Sequence, residues 1–281
     1  MTNPTSTPAR PGALPPVVEP AWLLARLGDP ALVVADCRFQ LDDPAAGRRA
    51  YEAGHLPGAV YFHLEEDLSG PPGPRGGRHP LPDPDELARR LSAAGIGDGV
   101  LVVAYDDQGG SMASRLWWLL RYLGHDRVAV LDGGFRRWTA LDLPVSREVP
   151  RPRPRVFSPR LRPERVASME EVQALRGRPG TVLVDSRAPE RYRGEHEPFD
   201  PVAGHIPGAV NLPWTGNLAP DGRFHDPETL RRRFAPLAGA ADLIVYCGSG
   251  VTACVNLLAL DRAGIRGARL YAGGWSEWCR Q

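Results

Sequence analysis

The sequence predicts an α/β protein composed of two tandem copies of one domain, each with a mostly parallel sheet flanked by helices. Three observations lead to this prediction: motifs that occur twice, short apolar runs that alternate with helical patterns, and a proline- and arginine-rich segment between the halves. The chain of 281 residues has room for two domains, because a domain usually takes about 100–200 residues.

Four motifs of the first half return in the second half in the same order. They are VVADCR (33–38) and LVDSR (183–187), GHLPGAV (54–60) and GHIPGAV (204–210), LVVAYD (101–106) and LIVYC (243–247), and LDGGFRRW (131–138) and YAGGWSEW (271–278). Matches in register indicate duplication of one domain. We therefore predict a first domain over 1–148, an extended linker over 149–162, where alternating proline and arginine disfavour helix and sheet, and a second domain over 163–281.

The elements of the second half follow from apolar patterning and from helix start and stop signals. Apolar stretches at 181–185 and 241–246 are typical of buried strands. Asp226 and Pro227 fit the cap and the first position of a helix over 226–236. The remaining elements are a helix over 251–263 closed by Gly264, a short strand over 268–271 and a turn at Gly273 and Gly274. Such alternation favours a parallel sheet covered on both faces.

Charge and composition exclude several classes of partner. The net charge of +1 gives no electrostatic reason to bind nucleic acid or an anionic membrane, and no apolar run is long enough to cross a bilayer. The first twenty residues lack an apolar h-region, so we expect a cytoplasmic protein without a secretory signal. The four cysteines include no CxxC pair and no Cys/His cluster with zinc spacing, so we expect no metal site.

Cys247 lies at the predicted junction between a buried strand and a helix, within YCGSGVTAC (246–254). Ligands of open α/β sheets bind beyond the carboxyl ends of the strands. Gly248 and Gly250 permit backbone conformations that turn successive N–H groups toward the sulfur, and the following helix adds positive charge at its N-terminus. We therefore expect a reactive thiolate at this position. The other cysteines, which we expect to be packed or bystander thiols, are Cys37, Cys254 and Cys279.

The motif CGSGVTA (247–253), with GHIPGAV upstream and GGWSEW downstream, resembles the tandem-domain sulfurtransferases, the family of rhodanese and 3-mercaptopyruvate sulfurtransferase. The resemblance implies two rhodanese-like domains and a catalytic cysteine, Cys247, that carries sulfur as a persulfide. It also implies that the sulfur donor binds against the loop that follows the cysteine. The loop residues expected to contact the donor are Gly248, Gly250, Val251 and Thr252.

Two positions of these loops exclude other activities. Asp106 stands where the first domain would have its cysteine, so that domain is expected to be catalytically silent and to wall the cleft. Cysteine-dependent phosphatases of related fold need an arginine where this loop has Ala253. Without that guanidinium the loop offers no bidentate contact to a phosphoryl group, so phosphatase activity is not expected.

The composition of the loop bears on the identity of the donor. Relatives that favour thiosulfate carry Arg-Lys after the cysteine, whereas Gly248 and Ser249 resemble the mercaptopyruvate enzymes. The resemblance to those enzymes implies a proton relay in which Ser249 is joined by His79 and Glu65 of the first domain. The register of the carboxylate is open, and the alternatives to Glu65 are Glu66 and Asp67.

The carboxylate of the donor requires a cation. Arg191 matches the first substrate-binding arginine of the family. The second arginine usually follows a Glu-Pro pair, but here Glu197 and Pro198 are followed by Phe199. Arg193 or an arginine of the first domain could supply the missing charge.

These observations predict a sulfurtransferase that moves sulfur from a small donor through a persulfide on Cys247 to an acceptor. The favoured donor is 3-mercaptopyruvate, and the alternative donor is thiosulfate. The acceptor would be cyanide, a small thiol or thioredoxin. Nothing in the resemblance implies a cofactor, a nucleic acid or a membrane. A more distant alternative is a non-enzymatic module that holds persulfide for a partner protein.

Overall fold

The computed structural model describes residues 14–281, which form two sheets whose strands pair in parallel. The strands of the first sheet are β1 (Val17–Val18), β2 (Leu32–Asp36), β3 (Val60–Tyr61), β4 (Leu101–Tyr105) and β5 (Val128–Leu131). The helices of this half are α1 (Pro20–Leu24), α2 (Ala46–Ala53), α3 (Pro84–Ala93), α4 (Ala113–Tyr122) and α5 (Gly134–Ala140).

The second half repeats this arrangement. Its strands are β6 (Thr181–Asp185), β7 (Val210–Asn211), β8 (Asp242–Tyr246) and β9 (Arg269–Leu270). Its helices are α6 (Met169–Leu175), α7 (Pro189–Arg193), α8 (Pro227–Phe234), α9 (Ala253–Arg262) and α10 (Gly274–Trp278). Short 3-10 helices cover Pro163–Arg165, Trp214–Asn217 and Ala235–Leu237. The predicted fold class is confirmed.

The two sheets have the same topology. The spatial order is β1-β5-β4-β2-β3 in the first sheet and β7-β6-β8-β9 in the second, so β9, β8, β6 and β7 correspond to β5, β4, β2 and β3. The register is also shared, since Asp36 of β2 lies opposite Tyr105 of β4 and Asp185 of β6 lies opposite Tyr246 of β8. Because both central strands end at the same edge of their sheets, the loops that follow β4 and β8 occupy equivalent places.

The strands and helices predicted for the second half are present, with differences at their ends. The side chain of Asp226 accepts the N–H groups of Glu228 and Thr229 and so caps α8 as predicted. The prediction that α9 begins at residue 251 is wrong, because residues 251–252 continue the loop and the helix starts at Ala253. The predicted turn at Gly273 and Gly274 is the entry to a short helix, α10.

The two halves share one hydrophobic core. Helices α4 and α9, each of which follows the loop of a central strand, pack against each other. Trp117 and Trp118 of α4 and Leu257 and Leu258 of α9 belong to a single buried cluster that runs through both halves. This packing brings the loop after β4 and the loop after β8 together at the boundary between the halves.

The segment between the halves lacks regular secondary structure. Residues 147–162 form neither helix nor strand. They are held by backbone hydrogen bonds to the first half, with the N–H groups of Arg155 and Arg160 donating to the carbonyl oxygens of Ser92 and Leu123. The Phe157 side chain is buried. The segment therefore packs along the surface of the first half.

Within the described part of the chain, no helix is long and apolar enough to span a membrane. The expectation that the chain begins without a secretory signal concerns mainly residues 1–13, which lie outside the described residues.

Candidate active site

The loop after β4 encloses a buried carboxylate. Asp106 has 1% of its surface exposed, and its two carboxylate oxygens accept four backbone N–H groups at 2.8–2.9 Å. The donors of these hydrogen bonds are Gln108, Gly110, Met112 and Ala113. Burial raises the pKa of Asp106, and the amide hydrogen bonds act in the opposite direction. The loop is therefore folded around an anion, with its amides pointing inward.

Replacing Asp106 with alanine is expected to lower the free energy of unfolding by about 3 kcal/mol or more, because four inward N–H groups would lose their acceptor. Asp106→Asn keeps one acceptor oxygen and should lie between the wild type and the alanine variant. Urea denaturation followed by tryptophan fluorescence measures both changes. An Asp106→Ala variant as stable as the wild type would show that the carboxylate does not hold the loop.

Cys247 occupies the corresponding place after β8 and is 2% exposed. The backbone carbonyl oxygen of Cys247 accepts the N–H of Trp275 at 2.8 Å, just as the backbone carbonyl oxygen of Asp106 accepts the N–H of Phe135 at 2.8 Å. Gly274 makes this approach possible, since its φ is +58° and a Cβ there would lie 2.5 Å from the Cys247 oxygen. By this correspondence we expect the loop after β8 to surround an anion as well, which here would be a thiolate or persulfide sulfur.

A serine and a histidine from different halves meet beside this cysteine. Ser249 Oγ lies 2.7 Å from His79 Nδ1, and both side chains are buried. On the other side of the ring, His79 Nε2 lies 3.8 Å from Glu65 Oε1, beyond direct hydrogen-bonding distance. The alternative carboxylates point elsewhere: Glu66 pairs with Arg48, and Asp67 pairs with Arg90. The three residues inferred from the resemblance therefore follow one another in space.

The segment that carries His79 is fixed to the second half on both sides of its short glycine turn. The N–H of Gly76 donates to Glu277 Oε1 at 2.7 Å, and the N–H of Arg78 donates to Ser276 Oγ at 3.1 Å. Both acceptors belong to α10, whose N-terminal residues also hold the carbonyl group of Cys247. One short helix thus sets the position of the histidine relative to the cysteine.

The imidazole of His79 is held in its neutral form. Burial, and after it the charges of Arg115 and Arg78, lowers the pKa of His79 to about 3. A histidine in an unfolded chain has a pKa of about 6.5. The neutral ring can accept the Ser249 proton at Nδ1 and then has its own proton on Nε2, which faces Glu65.

This shift predicts how stability depends on pH. Because the folded-state pKa of His79 is depressed, protons bind the unfolded chain preferentially as the pH falls from about 6.5 toward 3, and stability is lost in that window. The loss should be about 1.4 kcal/mol per pH unit. His79→Gln should remove this contribution, so urea denaturation at neutral pH and one unit below 6.5 should show a smaller decline in the variant. An equal decline in both proteins would contradict the assignment.

Two guanidinium groups lie against the loop at Gly248. A Cβ built on Gly248 would lie 2.9 Å from Nη2 of Arg78 and 3.4 Å from Nη2 of Arg191. Arg191 is bound to Glu197 at 2.6 Å, and Arg78 is bound to the buried carboxylate of Asp200. Two cations, one from each half, thus border the loop next to the cysteine.

Phe199, which stands where the family usually has an arginine, packs beside this pair of cations. The Phe199 ring lies 5.4 Å from the Arg78 guanidinium carbon and 5.1 Å from that of Arg191, so it packs against both cations. Arg193, the other arginine considered from the sequence, forms an exposed pair with Glu195. Of the arginines that could supply a second cation, Arg78 of the first half is the one that lies against Gly248 together with Arg191.

The remaining loop residues expected to contact the donor differ in their surroundings. The Val251 side chain is buried in the shared core. Gly250 has φ of +73° and accepts Cys254 Sγ at 3.3 Å through its carbonyl oxygen. Thr252 is partly exposed at the end of the loop. Ala253 is the first residue of α9. The loop before it, residues 247–252, contains no arginine.

Both halves of this chain match one protein family. The sequence model of the rhodanese-like domain matches residues 19–141 and 168–281. A probable 3-mercaptopyruvate sulfurtransferase of Pseudomonas aeruginosa is 50% identical over 262 residues, which cover 91% of this chain and 92% of that protein. A putative thiosulfate sulfurtransferase of Mycobacterium tuberculosis, SseB, is 39% identical over 260 residues, covering 91% of this chain and 90% of that protein.

The fold is also similar to that of a solved structure. The crystal structure of SseA from Escherichia coli, described as a 3-mercaptopyruvate sulfotransferase, superposes with a TM-score of 0.80 at 32% identity. The similarity covers 94% of this chain and the whole of that one. The names of these relatives agree on sulfur transfer and differ in the donor.

Proposed function

Since this chain belongs to the rhodanese family of sulfurtransferases, we propose that it takes sulfur from 3-mercaptopyruvate, holds it as a persulfide on Cys247 and passes it to a thiol or cyanide. The observation that carries the choice of donor is the hydrogen bond of 2.7 Å between Ser249 and His79 beside the cysteine. Departure of pyruvate requires a proton transfer, whereas departure of sulfite from thiosulfate does not. A buried hydroxyl bonded to a neutral imidazole has a task only with the first donor.

The first half-reaction forms an S–S bond and breaks a C–S bond. The Cys247 thiolate attacks the sulfur of the donor, and the electron pair of the C–S bond leaves with the carbon as the enolate of pyruvate. The Ser249 hydroxyl passes the proton of the donor thiol on to the enolate carbon, and its hydrogen bond to the neutral His79 ring orients it for this transfer. The products are a persulfide anion on Cys247 and pyruvate. The covalent intermediate divides one transfer into two easier steps.

The second half-reaction regenerates the thiolate. A thiolate or cyanide attacks the outer sulfur of the persulfide, the S–S bond breaks, and its electron pair returns to Cys247. Cyanide leaves as thiocyanate, and a thiol leaves as its own persulfide. Cyanide, a small thiol and thioredoxin fit this chemistry as acceptors. A reducing cytoplasm would keep Cys247 and the thiol acceptors in the thiol form, and we propose that the enzyme acts there.

Arg78 and Arg191 are proposed to bind the carboxylate of the donor. Their guanidinium groups border Gly248, the residue after the nucleophile, so a carboxylate held there keeps the reacting sulfur close to Cys247. Their partners Asp200 and Glu197 hold the two side chains in place. Thiosulfate remains the second candidate donor, because the same two cations would also suit its dianion.

Replacing Arg78 with glutamine is expected to raise KM for 3-mercaptopyruvate by about 10–100-fold, since one charge-assisted hydrogen bond contributes about 1.5–3 kcal/mol. The turnover number should change far less, because the relay stays intact. Arg75→Gln is the matched control: Arg75 lies in the same segment but forms an exposed pair with Glu170. The double variant Arg78→Gln with Asp200→Asn removes the buried unpaired carboxylate and should keep the KM defect. An unchanged KM would remove Arg78 from the donor site.

The choice of donor is tested by a paired assay on the purified protein. Pyruvate release from 3-mercaptopyruvate and thiocyanate formation from thiosulfate with cyanide are compared as kcat/KM. A higher value for 3-mercaptopyruvate supports the proposal. A higher value for thiosulfate would show that the two arginines outweigh the relay and would make thiosulfate the donor.

A further inference from the structure

Arg115 is a buried cation that the reaction described above does not use. Its side chain is fully buried in α4, at the packing surface between the halves. It donates to the carbonyl oxygen of Gly250 at 3.0 Å, in the loop of the nucleophile, and to that of His79 at 3.1 Å. Longer bonds reach the oxygens of Pro80 at 3.2 Å and Leu68 at 3.4 Å. One guanidinium therefore joins the cysteine loop to the histidine segment.

No carboxylate of residues 14–281 forms an ion pair with Arg115. Among the ion pairs of residues 14–281, none includes Arg115, whereas the other deeply buried arginines, Arg38 and Arg187, bind Asp36 and Asp185. Removing an unpaired charge from water costs several kcal/mol unless an anion or strong dipoles offset it. Carbonyl oxygens provide the dipoles here, and a nearby anion would provide the rest.

Among the described residues, the ionisable groups whose negative charge would act on Arg115 are two thiols. Burial lowers the pKa of Arg115, and the sulfurs of Cys254 and Cys247 act in the opposite direction. Burial also raises the pKa of Cys254 to about 12, so that thiol stays neutral near pH 7. Of the two, Cys247 is the one that the proposed reaction ionises and loads with sulfur.

We propose that Arg115 is a positioning residue for sulfur transfer, whose buried charge stabilises the anionic sulfur of Cys247 from behind the loop while its hydrogen bonds hold the loop against the His79 segment. This inference rests on the proposed function. The two cations that border Gly248, Arg78 and Arg191, are already paired with Asp200 and Glu197. Arg115 differs from them because its hydrogen bonds go to carbonyl oxygens and no carboxylate of residues 14–281 pairs with it.

The test is the rate of Cys247 alkylation by iodoacetamide as a function of pH, with the modified residue identified by mass spectrometry. In Arg115→Met the pH of half-maximal rate should rise by about one unit, since a nearby opposite charge shifts ionisation by one or more units. Arg115→Lys keeps the positive charge, so its pH of half-maximal alkylation should lie close to that of the wild type. Arg233→Met is the matched control, because Arg233 is also bound to neutral acceptors, Asn217 and the Pro213 carbonyl, away from the loop; its profile should match the wild type.

A folded Arg115→Met with the wild-type alkylation profile would overturn the proposal and leave Arg115 a purely structural role. If Arg115→Met does not fold, Arg115→Gln, which can keep a carbonyl contact, replaces it. The wild type provides a further arm: a buried charge is little screened, so the half-maximal pH should stay constant between low and high salt, and a rise with salt would assign the effect to exposed cations. Alkylation reports the thiolate whether or not the protein transfers sulfur, so failure here and failure of the proposed function are distinguishable.

Discussion

Replacing Cys247 with serine is expected to abolish sulfur transfer from 3-mercaptopyruvate and from thiosulfate alike, by at least about 1,000-fold in kcat. Serine fits the space but cannot form a persulfide, and its hydroxyl stays protonated near pH 7, so both half-reactions lose their nucleophile. The measurements are pyruvate release, thiocyanate formation and the intact mass after incubation with donor. The wild type should gain the mass of one sulfur atom, and the variant should gain none.

Cys254→Ser is the matched control for this prediction. Cys254 is also fully buried and lies in the same part of the chain, but its thiol hydrogen-bonds the Gly250 carbonyl and belongs to the apolar face of α9. The burial that raises its pKa to about 12 makes it a poor nucleophile. The control should therefore keep sulfur loading. If sulfur loading survived in Cys247→Ser and disappeared in Cys254→Ser, the residue that carries the persulfide would be Cys254 and not Cys247.

The part of the site that could be predicted from sequence is the part coded by local pattern. An apolar strand followed by Cys247, glycines and a helix predicts a loop at the carboxyl edge of a sheet, and the repeat of four motifs predicts a second loop of the same kind at Asp106. The structure adds a physical reason for the aspartate, because its carboxylate accepts the backbone N–H groups that point into the loop. The exact start of α9 could not be predicted, because neither Val251 nor Thr252 distinguishes the last residue of the loop from the first residue of the helix.

The part that could not be predicted depends on contacts between the halves. Arg78 reaches Asp200 over 122 residues, and Arg115 reaches Gly250 over 135 residues. Nothing in the local sequence shows which distant groups these two arginines contact. What selects them is the packing of α4 on α9 and the anchoring of the His79 segment on α10, which become visible only when both halves are placed together.

The proposed relay has a donor-specific consequence that Ser249→Ala tests. With 3-mercaptopyruvate, kcat should fall by about 100-fold or more, the usual contribution of positioned acid–base groups. With thiosulfate it should change little, because sulfite leaves with the S–S electron pair and requires no proton. KM for 3-mercaptopyruvate should also change little, since Arg78 and Arg191 remain. Steady-state assays of pyruvate and thiocyanate on one preparation give both values.

The control and the coupling between the two groups make this test specific. Ser111, in the loop of the first half, is also buried, and its hydroxyl has no hydrogen-bond partner among the described residues, so Ser111→Ala should leave both rates unchanged. His79→Gln should reproduce the defect of Ser249→Ala, and the double variant should be no slower than either single variant, because residues that act as one unit are not additive. Equal losses with both donors would instead show that Ser249 shapes the loop around the sulfur and does not move a proton.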